Sequence, residues 1–481
     1  MSVPSDELVQ TLAQHNQQHV LKWWEELNPQ QQLQLTSQLE AIDLPRLMRV
    51  WKAAQSEQST THNDAELCRA DRAAAPTTVV RQPVTEQDIA KRQAAGATGE
   101  QLLADGKVAV ITVAGGQGSR LGFDEPKGMF PIGPASNRTL FQIFAEQIQA
   151  RQQRHGGTIP WLIMTSQATH EDTVQFFQQQ QYFGLNADHV HFFQQGSMPA
   201  VDADTGRLLM QDKASLCLSP DGHGGLVAAL QSSGLLNRMA AAGIELLFYH
   251  QVDNPTVILC DPVLLGLHHQ HDSELSTNVV QKTSPTERMG ALAEIDGHLE
   301  IIEYSELTED QASRTDDSGQ FVFWAGNTAI HVFSRTFFEH LASEGGRLKL
   351  HLANKKVPHI DDCGNLIDPT EPNASKFERF IFDALPLARN ALIVEGNRAL
   401  EFNPVKNAEG DDSPATARAA LNRIGRNWLE AAGHSVSETA TVEISPLVAL
   451  DLSELSDKLA RGAASLDDLV HNVHDSKARQ Q

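Results

Sequence analysis

The stretch Lys107–Gly122, "KVAVITVAGGQGSRLG", decides the fold class. A short apolar run ends in a glycine-rich turn, and later runs end in polar residues in the same way. Because helical stretches lie between most of these runs, the sequence predicts an α/β fold with a mainly parallel mixed sheet and helices on both faces. Ligands bind such sheets beyond the carboxyl ends of the strands, where the polar residues fall. The later runs are 160–167, 189–196, 245–254 and 276–282.

The charge balance restricts the partners. The 481 residues include 61 acidic and 38 basic side chains, which gives a formal net charge of −23. Neither nucleic acid nor an anionic membrane is expected as a partner, because binding to them relies on a basic surface. An acidic protein can still bind an anionic nucleotide where local donors and cations reverse the field. The length predicts two or three domains with a large core.

Cysteine and histidine spacing argues against disulfides and a zinc site. The cysteines are far apart and form no CxxC pair: Cys68, Cys217, Cys260 and Cys363. This spacing indicates reduced thiols, of which Cys217 and Cys260 are predicted to lie in the core. The segment "HHQH" indicates a polar helix or loop face rather than a zinc site, because no cysteine lies near it. Its histidines are His268, His269 and His271.

Hydropathy gives no sign of a membrane segment. No stretch approaches the roughly 20 apolar residues of a membrane helix. The N-terminus has no apolar run that would act as a signal peptide. We therefore expect a cytoplasmic protein.

Composition divides the chain into three consecutive segments. Residues 1–100 form an N-terminal helical region, with a polar linker at about 56–84 and short helices after it. Residues 101–400 contain the strand–helix alternation. Residues 401–481 form a small C-terminal α+β unit with one helix and a few strands. The first two helices begin at cap signals, Ser5 and Asn28.

The glycine-rich turn matches neither common phosphate-binding motif. A P-loop needs GxxxxGK[ST], but Gly128 and Met129 follow Lys127 here. The dinucleotide fingerprint GxGxxG fails as well, because Leu121 occupies the place of its third glycine. The turn therefore belongs to another kind of loop.

This loop nevertheless has the composition of a polyanion site. Its glycines let successive backbone N–H groups point at one anion and approach it closely. Two cations follow the glycines, Arg120 and Lys127. Because they are some seven residues apart in sequence, they can reach a longer polyanion than one phosphate. A triphosphate fits that requirement.

The stretch Val113–Gly128, "VAGGQGSRLGFDEPKG", resembles the nucleotide-binding loop of the UDP-sugar pyrophosphorylases, in particular their eukaryotic-type UDP-N-acetylhexosamine branch. The resemblance continues in order from about residue 105 to 450. It implies a Rossmann-like, GT-A-like fold of the nucleotide-diphospho-sugar transferase type, with residues 101–400 as the catalytic domain. Similar segments are "MTSQAT", "FFQQGSMPA", "SPDGHGG", "VDNPTVILCDP", "VVQKTSPTE", "IIEYSEL", "KFERFIFD", "EFNPVKN" and "ATARAAL".

The resemblance also implies a reaction. UTP and a sugar 1-phosphate give a UDP-sugar and pyrophosphate, with Mg²⁺ as the metal. Such a transfer needs alignment and charge neutralisation rather than a protein nucleophile. The motifs favour N-acetylglucosamine 1-phosphate as the sugar substrate. The alternatives are a UTP–glucose-1-phosphate uridylyltransferase, a broad-specificity UDP-sugar pyrophosphorylase and a non-catalytic nucleotide-sugar sensor. The oligomeric state, monomer or dimer, stays open.

The resemblance assigns roles to individual residues. The expected nucleotide-binding residues are Ala114, Gly115, Gly116, Gln195 and Gly222. The expected catalytic cations are Arg120, Lys127 and Lys406, and the expected magnesium ligand is Asp253. The expected sugar-binding residues are His223, Glu303, Asn327, Phe380 and Phe382. An amide donates and accepts hydrogen bonds together, which suits Gln195 to the uracil edge.

Two segments depart from the branch pattern. The branch usually reads GNGG where this chain reads "GHGG", so His223 leaves the choice between N-acetylglucosamine and glucose open. His223 could equally be a structural histidine. The segment around Asn327 also differs from the usual wording. From spacing alone, Phe380 and Phe382 would be core residues of a strand, and only the resemblance places them at the sugar.

Overall fold

The computed structural model describes residues 4–59, 69–343 and 348–471. The helices are α1 (Asp6–Gln14), α2 (Pro29–Glu40), α3 (Leu44–Ser59), α4 (Glu86–Ala104), α5 (Leu140–His155), α6 (His170–Gln179), α7 (Leu226–Ser232), α8 (Leu235–Ala241), α9 (Pro262–Gln270), α10 (Glu309–Ala312), α11 (Arg335–Ser343), α12 (Arg398–Glu401), α13 (Pro414–Ala431), α14 (Leu452–Ala460) and α15 (Leu466–Leu469). The strands are β1 (Val79–Val80), β2 (Val108–Val113), β3 (Trp161–Thr165), β4 (Val190–Gln194), β5 (Ser197–Pro199), β6 (Val201–Asp202), β7 (Met210–Asp212), β8 (Ser215–Leu216), β9 (Leu218–Pro220), β10 (Leu246–Gln251), β11 (Leu275–Gln281), β12 (Ala291–Ile295), β13 (His298–Ile302), β14 (Ala325–Ser334), β15 (His351–Lys355), β16 (His359–Ile360), β17 (Leu366–Ile367), β18 (Ala374–Glu378), β19 (Ala391–Glu395), β20 (Thr441–Val442) and β21 (Val470–His471).

The first helices begin at the capping residues that the sequence predicts. The Ser5 hydroxyl accepts a hydrogen bond from the Leu8 N–H at 3.2 Å, which satisfies one free donor of α1. At the start of α2, the N-cap Asn28 and the third helical residue Gln31 form a reciprocal capping box, and Pro29 occupies the first helical position. The predicted helical character of the N-terminal region is confirmed.

Helix α4 is a single helix of 19 residues, where the sequence predicted short helices. This helix packs closely against α9, which accommodates a glycine in its interior. A Cβ atom on Gly99 would lie 1.9 Å from the Pro262 carbonyl, and one on Gly266 would lie 1.7 Å from the Ala95 carbonyl. The two helices therefore touch backbone to backbone, and a glycine is required on each of them.

The chain divides into two compact units. Unit 1 contains Met1–Asp71, Gln195–Ala228 and Gly346–Ala384, and unit 2 contains Arg72–Gln194, Ala229–Gly345 and Leu385–Gln481. Both units gather segments that are distant in sequence. This division differs from the three consecutive segments that composition suggests, because strand pairing and core packing join segments without regard to their order in the chain.

Unit 2 contains the central sheet. Its strand order is β1-β19-β11-β14-β10-β2-β3-β4, and β12 and β13 form a hairpin beside β14. Along this order every neighbouring pair is parallel except the two that involve β14. The predicted mainly parallel mixed sheet is therefore confirmed. Because β14 runs in the opposite direction, its amino-terminal end lies at the same edge of the sheet as the carboxyl ends of β10 and β11.

Helices cover both faces of this sheet. Side chains alternate along β10, so Phe248 and Tyr249 point to opposite faces. Phe248 belongs to the cluster that includes Phe141 and Phe144 of α5. Tyr249 lies 6.3 Å from Phe333 on β14, measured between ring centroids, and Phe333 packs in turn on the α11 side chain of Phe338 at 5.3 Å. The predicted covering of both faces is confirmed.

Unit 1 combines the N-terminal helices with short strands. One hydrophobic cluster joins α1, α2 and α3 to β6, β7, β8 and β18. Strands β15, β18 and β6 form a three-stranded antiparallel sheet. The close approach of Gly206 to Trp51 shows how tightly the helices pack, because a Cβ atom on Gly206 would lie 2.8 Å from the indole. The N-terminal helices are therefore part of the core of unit 1.

Several smaller predictions can be compared with the structure. Cys217 and Cys260 are buried free thiols, as predicted, whereas Cys68 lies outside the described residues. The "HHQH" prediction of a polar face is wrong for His268, which is buried in α9 and hydrogen-bonded through Nδ1 to the Ser276 hydroxyl at 2.8 Å. Part of the predicted linker, residues 60–68, also lies outside the described residues. None of the helices in the described part of the chain is long and apolar enough to cross a membrane.

Candidate active site

The glycine loop follows β2 and is held by its own backbone. The Ala114 N–H donates to the Met164 carbonyl at 2.7 Å, which fixes the start of the loop against β3. The Lys127 N–H donates to the Gly116 carbonyl at 3.1 Å, so the PKG segment folds back onto the glycines. A Cβ atom on Gly116 would meet nothing within 4 Å. The space beside Gly116 is therefore open, as a backbone site for phosphate requires, and Gly115 is half-buried next to it.

Other glycines of this loop serve packing. A Cβ atom on Gly118 would lie 2.7 Å from the Phe123 ring, and one on Gly128 would lie 2.2 Å from the Phe141 ring. Arg120 is exposed, and within the described ranges no side chain forms an ion pair with it. The loop thus presents an unpaired guanidinium beside open backbone, a combination suited to an anion.

Hydrogen bonds join the three predicted phosphate and metal motifs at Val405. The Val405 N–H donates to the Asp253 carbonyl at 2.8 Å, and the Val405 carbonyl accepts from Lys127 Nζ at 3.3 Å. Lys406 is the next residue. Asp253 itself is positioned by the sheet, because the Val252 N–H continues the β2–β10 ladder to the Val113 carbonyl at 3.0 Å. The structure therefore brings Lys127, Asp253 and Lys406 together beside the glycine loop.

Lys406 is tethered by Asp412. Its backbone N–H donates to the Asp412 carbonyl at 2.6 Å, and its Nζ lies 3.8 Å from the Asp412 carboxylate. The ammonium also lies 5.4 Å from the centroid of the Phe402 ring. Burial raises the pKa of Asp412 above the usual aspartate value, although the Lys406 charge acts against the rise. The local chain thus holds a half-exposed ammonium in place, available to a phosphate.

The predicted sugar residues Glu303 and Asn327 meet at Gly290. The Asn327 N–H donates to the Gly290 carbonyl at 2.8 Å, and a Cβ atom on Gly290 would lie 2.9 Å from Glu303 Oε1. The side-chain oxygen of Asn327 accepts from the Ala329 N–H at 3.0 Å, so its Nδ2 is the group left to donate. Asn327 pairs with Val279 on β11, which places it at the edge of the sheet where the carboxyl ends of β10 and β11 lie.

In unit 1, the predicted nucleoside residues Gln195 and Gly222 adjoin two residues that are joined by a hydrogen bond, Gly196 and Asp221. Gln195 follows directly after β4, and the carbonyl of the next residue, Gly196, accepts from the Asp221 N–H at 3.0 Å. The Asp221 carboxylate pairs with Arg379 Nη1 at 3.0 Å. Gly222 must be glycine for two reasons: its φ is +81°, and a Cβ atom there would lie 2.4 Å from the Arg379 carbonyl.

The remaining sugar residues form an aromatic group next to this ion pair. The ring centroids of His223 and Phe380 are 5.4 Å apart, and those of Phe380 and Phe382 are 5.1 Å apart. The strand that spacing suggested for the two phenylalanines is not present, because β18 ends at Glu378 and Ile381 begins a 3₁₀ turn. The chain turns here because the Arg379 N–H donates to the Asp221 carbonyl at 2.8 Å rather than to a neighbouring strand.

Sequence reasoning missed residues that support these groups. Asp221, Arg379 and Asp383 stand inside the quoted motifs "SPDGHGG" and "KFERFIFD", so their place in the motif was a signal that could have identified them. Val405 acts through its backbone, and no residue pattern reveals such a role. Asp412 also lay outside the motifs that the sequence singled out.

Comparisons with known proteins agree with this geometry. Residues 52–463 match the model of the family described as UTP–glucose-1-phosphate uridylyltransferase. The UDP-N-acetylhexosamine pyrophosphorylase-like protein 1 of Xenopus tropicalis is 37% identical over 468 residues, which cover 90% of this chain and 89% of the relative. UDP-N-acetylglucosamine diphosphorylase 2 of Arabidopsis thaliana is 36% identical over 466 residues, with 92% and 89% covered.

A solved structure extends the likeness to three dimensions. The crystal structure of the uridine diphosphate N-acetylglucosamine pyrophosphorylase from Trypanosoma brucei in complex with an inhibitor is 27% identical, with a TM-score of 0.80 over 96% of each chain. The residues of both groups described above fall within the matched range 52–463. The chain belongs to the UTP–glucose-1-phosphate uridylyltransferase family, that of the UDP-sugar pyrophosphorylases, as the resemblance of its glycine loop indicated.

Proposed function

We propose that this protein is a uridylyltransferase that joins UTP and N-acetylglucosamine 1-phosphate into UDP-N-acetylglucosamine and releases pyrophosphate. The observation that carries the proposal is the meeting of Lys127, Asp253 and Lys406 at Val405, beside an open glycine loop. This set contains cations, backbone donors and one carboxylate. Those are the groups that a transfer between phosphates requires, and none of them has to act as a nucleophile.

The chemistry follows from these groups. An oxygen of the sugar phosphate attacks the α-phosphorus of UTP, and the bond from that phosphorus to the oxygen that bridges the α- and β-phosphates breaks, so that this oxygen leaves with pyrophosphate. Arg120 and Lys127 neutralise the charge that grows on the leaving pyrophosphate. Lys406 holds the attacking phosphate near the α-phosphate, so that two anions that repel each other approach in line. The open backbone at Gly116, next to Gly115 and with Ala114 fixed to β3, cradles the nucleotide.

The residues present fit Mg²⁺. Among the described residues, no side chain forms a hydrogen bond or ion pair with the Asp253 carboxylate, and no group of three or more histidine, cysteine, aspartate or glutamate side chains is arranged as a metal cage. Magnesium commonly takes one or two carboxylates and completes its shell with phosphate oxygens and water. When bound, the ion supplies charge neutralisation at the α-phosphate. Asp253 is the residue that we assign to hold it.

Base and sugar recognition are assigned to further residues. The Gln195 amide and the Gly222 backbone would read the uracil, because an amide offers a donor and an acceptor together. Glu303 and Asn327 would accept from and donate to sugar hydroxyls. Phe380 and Phe382 would form an apolar wall for the sugar and its acetyl group.

The relatives favour the acetylated sugar. Proteins named for UDP-N-acetylhexosamine or UDP-N-acetylglucosamine are 36–37% identical over about nine-tenths of this chain. The matching family model is named for glucose 1-phosphate, which keeps UDP-glucose as the second candidate product. We also propose that the protein acts in the cytoplasm, where free thiols such as Cys217, Cys260 and Cys363 stay reduced.

One experiment tests the reaction and the sugar together. Pyrophosphate release is measured with UTP and Mg²⁺ against N-acetylglucosamine 1-phosphate, N-acetylgalactosamine 1-phosphate and glucose 1-phosphate. We expect the highest kcat/KM with N-acetylglucosamine 1-phosphate. A higher value with glucose 1-phosphate would establish the second candidate, and no release with any sugar would favour a nucleotide-sugar sensor.

A further inference from the structure

Phe380 and Phe382 form the aromatic wall of unit 1. Contacts at both ends of their chain segment, and a ring packed against Phe380, hold this wall in place. Its chain segment, Arg379–Asp383, carries both phenylalanines and is tied at one end by an ion pair and at the other by a hydrogen bond to a histidine ring. Arg379 Nη1 lies 3.0 Å from the Asp221 carboxylate, and the Asp383 carboxylate lies 2.7 Å from His351 Nε2. The His351 ring also packs under Phe380, with ring centroids 4.5 Å apart. These contacts leave the middle of the segment to be fixed by other groups.

His223 fixes the middle of the segment. Its Nδ1 accepts a hydrogen bond from the Ile381 N–H at 3.1 Å. Its ring is stacked on Phe380 at 5.4 Å, with 25° between the planes, and lies 5.6 Å from Phe382. One side chain therefore contacts both phenylalanines of the wall and the peptide between them.

The protonation state of His223 suits this role. Burial lowers its pKa to about 4, so the ring is neutral near neutral pH. A neutral imidazole that accepts at Nδ1 carries its proton on Nε2, so the hydrogen bond to Ile381 also fixes the tautomer. Ile381 is fully buried, so water could not replace His223 as the acceptor for its N–H group. Leaving such a donor without an acceptor is costly.

We propose that His223 is a positioning residue for the sugar, which holds the Ile381 amide through Nδ1 and thereby sets the shape of the Phe380–Phe382 wall. The inference rests on the proposed function, because it takes the wall to contact the sugar of a UDP-sugar. It differs from the expectation that His223 contacts the sugar directly, and it gives the alternative of a structural histidine a specific role. The inference assigns different roles to two properties of the His223 side chain: the Nδ1 acceptor holds the Ile381 amide, and the aromatic ring packs on the phenylalanines.

Two substitutions distinguish these properties. In H223N, the side-chain oxygen stands as many bonds from Cα as Nδ1 does, so the acceptor for Ile381 is kept while the ring is lost. In H223L, an apolar side chain fills the space between the phenylalanines, but the acceptor is lost. His359→Leu is the matched control, because it makes the same change in unit 1 at a ring hydrogen-bonded beside Asn373, away from the wall.

Titration calorimetry with UDP-N-acetylglucosamine and with UDP measures the sugar contribution without turnover. We expect H223L to weaken binding of the UDP-sugar about tenfold and binding of UDP by less than twofold, because an orphaned amide of the wall affects the sugar alone. We expect H223N to recover UDP-sugar binding to within about threefold of the original protein. KM for the sugar 1-phosphate should follow the same order, with KM for UTP nearly constant.

Three results would overturn the inference: UDP-sugar binding by H223L equal to that of the original protein, equal losses for UDP and the UDP-sugar, or H223N as weak as H223L. Melting temperatures, compared with that of the His359→Leu control, show whether a variant is unfolded. If H223L is unfolded, the binding of the UDP-sugar by H223N tests the inference instead. Failure of the proposed function looks different. In that case the unmodified protein binds neither ligand and releases no pyrophosphate with any sugar 1-phosphate.

Discussion

Among the proposed catalytic cations, Lys406 is the one for which we expect the clearest difference between the effect on kcat and the effect on KM for UTP. Asp412 tethers it from two sides, and its ammonium remains half-exposed. We expect Lys406→Ala to lower kcat about 10²- to 10³-fold, the usual effect of removing one charge-stabilising donor. KM for UTP should change by less than about threefold, because the glycine loop, Arg120 and Lys127 still hold the triphosphate.

Steady-state kinetics of pyrophosphate release check this expectation. Lys91→Ala is the matched control, since Lys91 is exposed on α4 and contacts none of the proposed site residues. A Lys406→Ala protein with unchanged kcat would remove Lys406 from the mechanism. A rise in KM for UTP with constant kcat would make it a nucleotide-binding residue instead.

Glycine positions were the site residues easiest to predict from sequence, and backbone contacts were the hardest. Gly222 has a positive φ and no room for a side chain, so its place in a motif carries a physical requirement. Val405 joins the Lys127 and Asp253 segments through its N–H and carbonyl, which any residue possesses. His351 supports Phe380 from a strand whose sequence gave no signal. Side-chain chemistry can be read from a sequence, whereas such supporting contacts require the fold.

At the scale of elements, the short helix α12 joins β19 to the segment that carries Lys406. The Glu401 carboxylate at its end accepts from the Asn397 N–H at 2.6 Å and from Asn278 Nδ2 at 3.0 Å. Its backbone carbonyl accepts from Asn254 Nδ2 at 2.7 Å, next to Asp253. Burial, together with the nearby Asp261 charge, raises the pKa of Glu401 to about 7.

This pKa predicts how stability depends on pH. The folded protein binds the Glu401 proton more tightly than the unfolded chain does, so the contribution is complete below the ordinary glutamate value and is lost as pH rises through about 7. We expect the melting temperature of the original protein to fall, relative to Glu401→Gln, as pH rises from 5 to 8. The difference between the two melting curves should change most steeply between the ordinary glutamate pKa and about 7, where the folded protein keeps the proton that the unfolded chain has lost, and should level off above about 7. Parallel curves would contradict the assignment to Glu401.

A second element-scale tie fixes the loop between the PKG segment and α5. The Glu443 carboxylate accepts from the Ala135 and Ser136 N–H groups, each at 2.7 Å, and lies 3.1 Å from Arg138 Nη1. Arg138 also pairs with Glu146 of α5 at 2.8 Å. Burial alone would raise the pKa of Glu443, but the Ser136 hydroxyl and the two amides lower it overall. The Glu443 carboxylate therefore fixes this loop through three of its residues, Ala135, Ser136 and Arg138.

We expect Glu443→Ala to destabilise the fold by about 2–4 kcal/mol, because it removes a buried partner from two amides and a guanidinium. Urea unfolding at pH 7 measures the loss. Since the folded pKa is lowered, the contribution of Glu443 is present above the ordinary glutamate value and disappears as pH falls through the lower folded value. Glu438→Ala is the control, because Glu438 is exposed and should change stability by less than about 0.5 kcal/mol. A loss of equal size in both variants would contradict the tie.

Helices and strands were predicted well where apolar spacing or cap residues decided the local structure. They were predicted poorly where long-range hydrogen bonds acted against that spacing. The buried strand β2 and the capped helices α1 and α2 follow directly from apolar spacing and cap residues. The alternation of Phe380 and Phe382 has the period of a strand, yet the segment turns, because its amides pair with the 221–225 loop. Long-range hydrogen bonds of this kind override local spacing.

For the whole molecule, composition limited the partners but could not define the compact units. A net charge of −23 is compatible with nucleotide binding only through a local group of cations, and unit 2 supplies one in Arg120, Lys127 and Lys406. The predicted catalytic segment, 101–400, contains residues of both units. The residues proposed for the nucleoside and the aromatic wall belong to unit 1, and those proposed for the phosphates and the metal belong to unit 2. Sequence order cannot show this, because each unit is assembled from separated segments.

The same organisation predicts how the molecule responds to loss of metal. In the described part of the chain no group of three or more histidine, cysteine, aspartate or glutamate side chains is arranged to hold a metal ion, and the core is built from apolar clusters, so we expect folding to be independent of Mg²⁺. We expect excess EDTA to lower pyrophosphate release at least 100-fold and added MgCl₂ to restore it, because in the proposed mechanism Asp253 and the substrate phosphates would hold the ion together. The melting temperature without substrate should stay within about 1 °C, since an ion that does not bind the free protein cannot stabilise it. A lower melting temperature in EDTA would instead reveal a structural metal, and activity that survives EDTA would remove the metal role from Asp253.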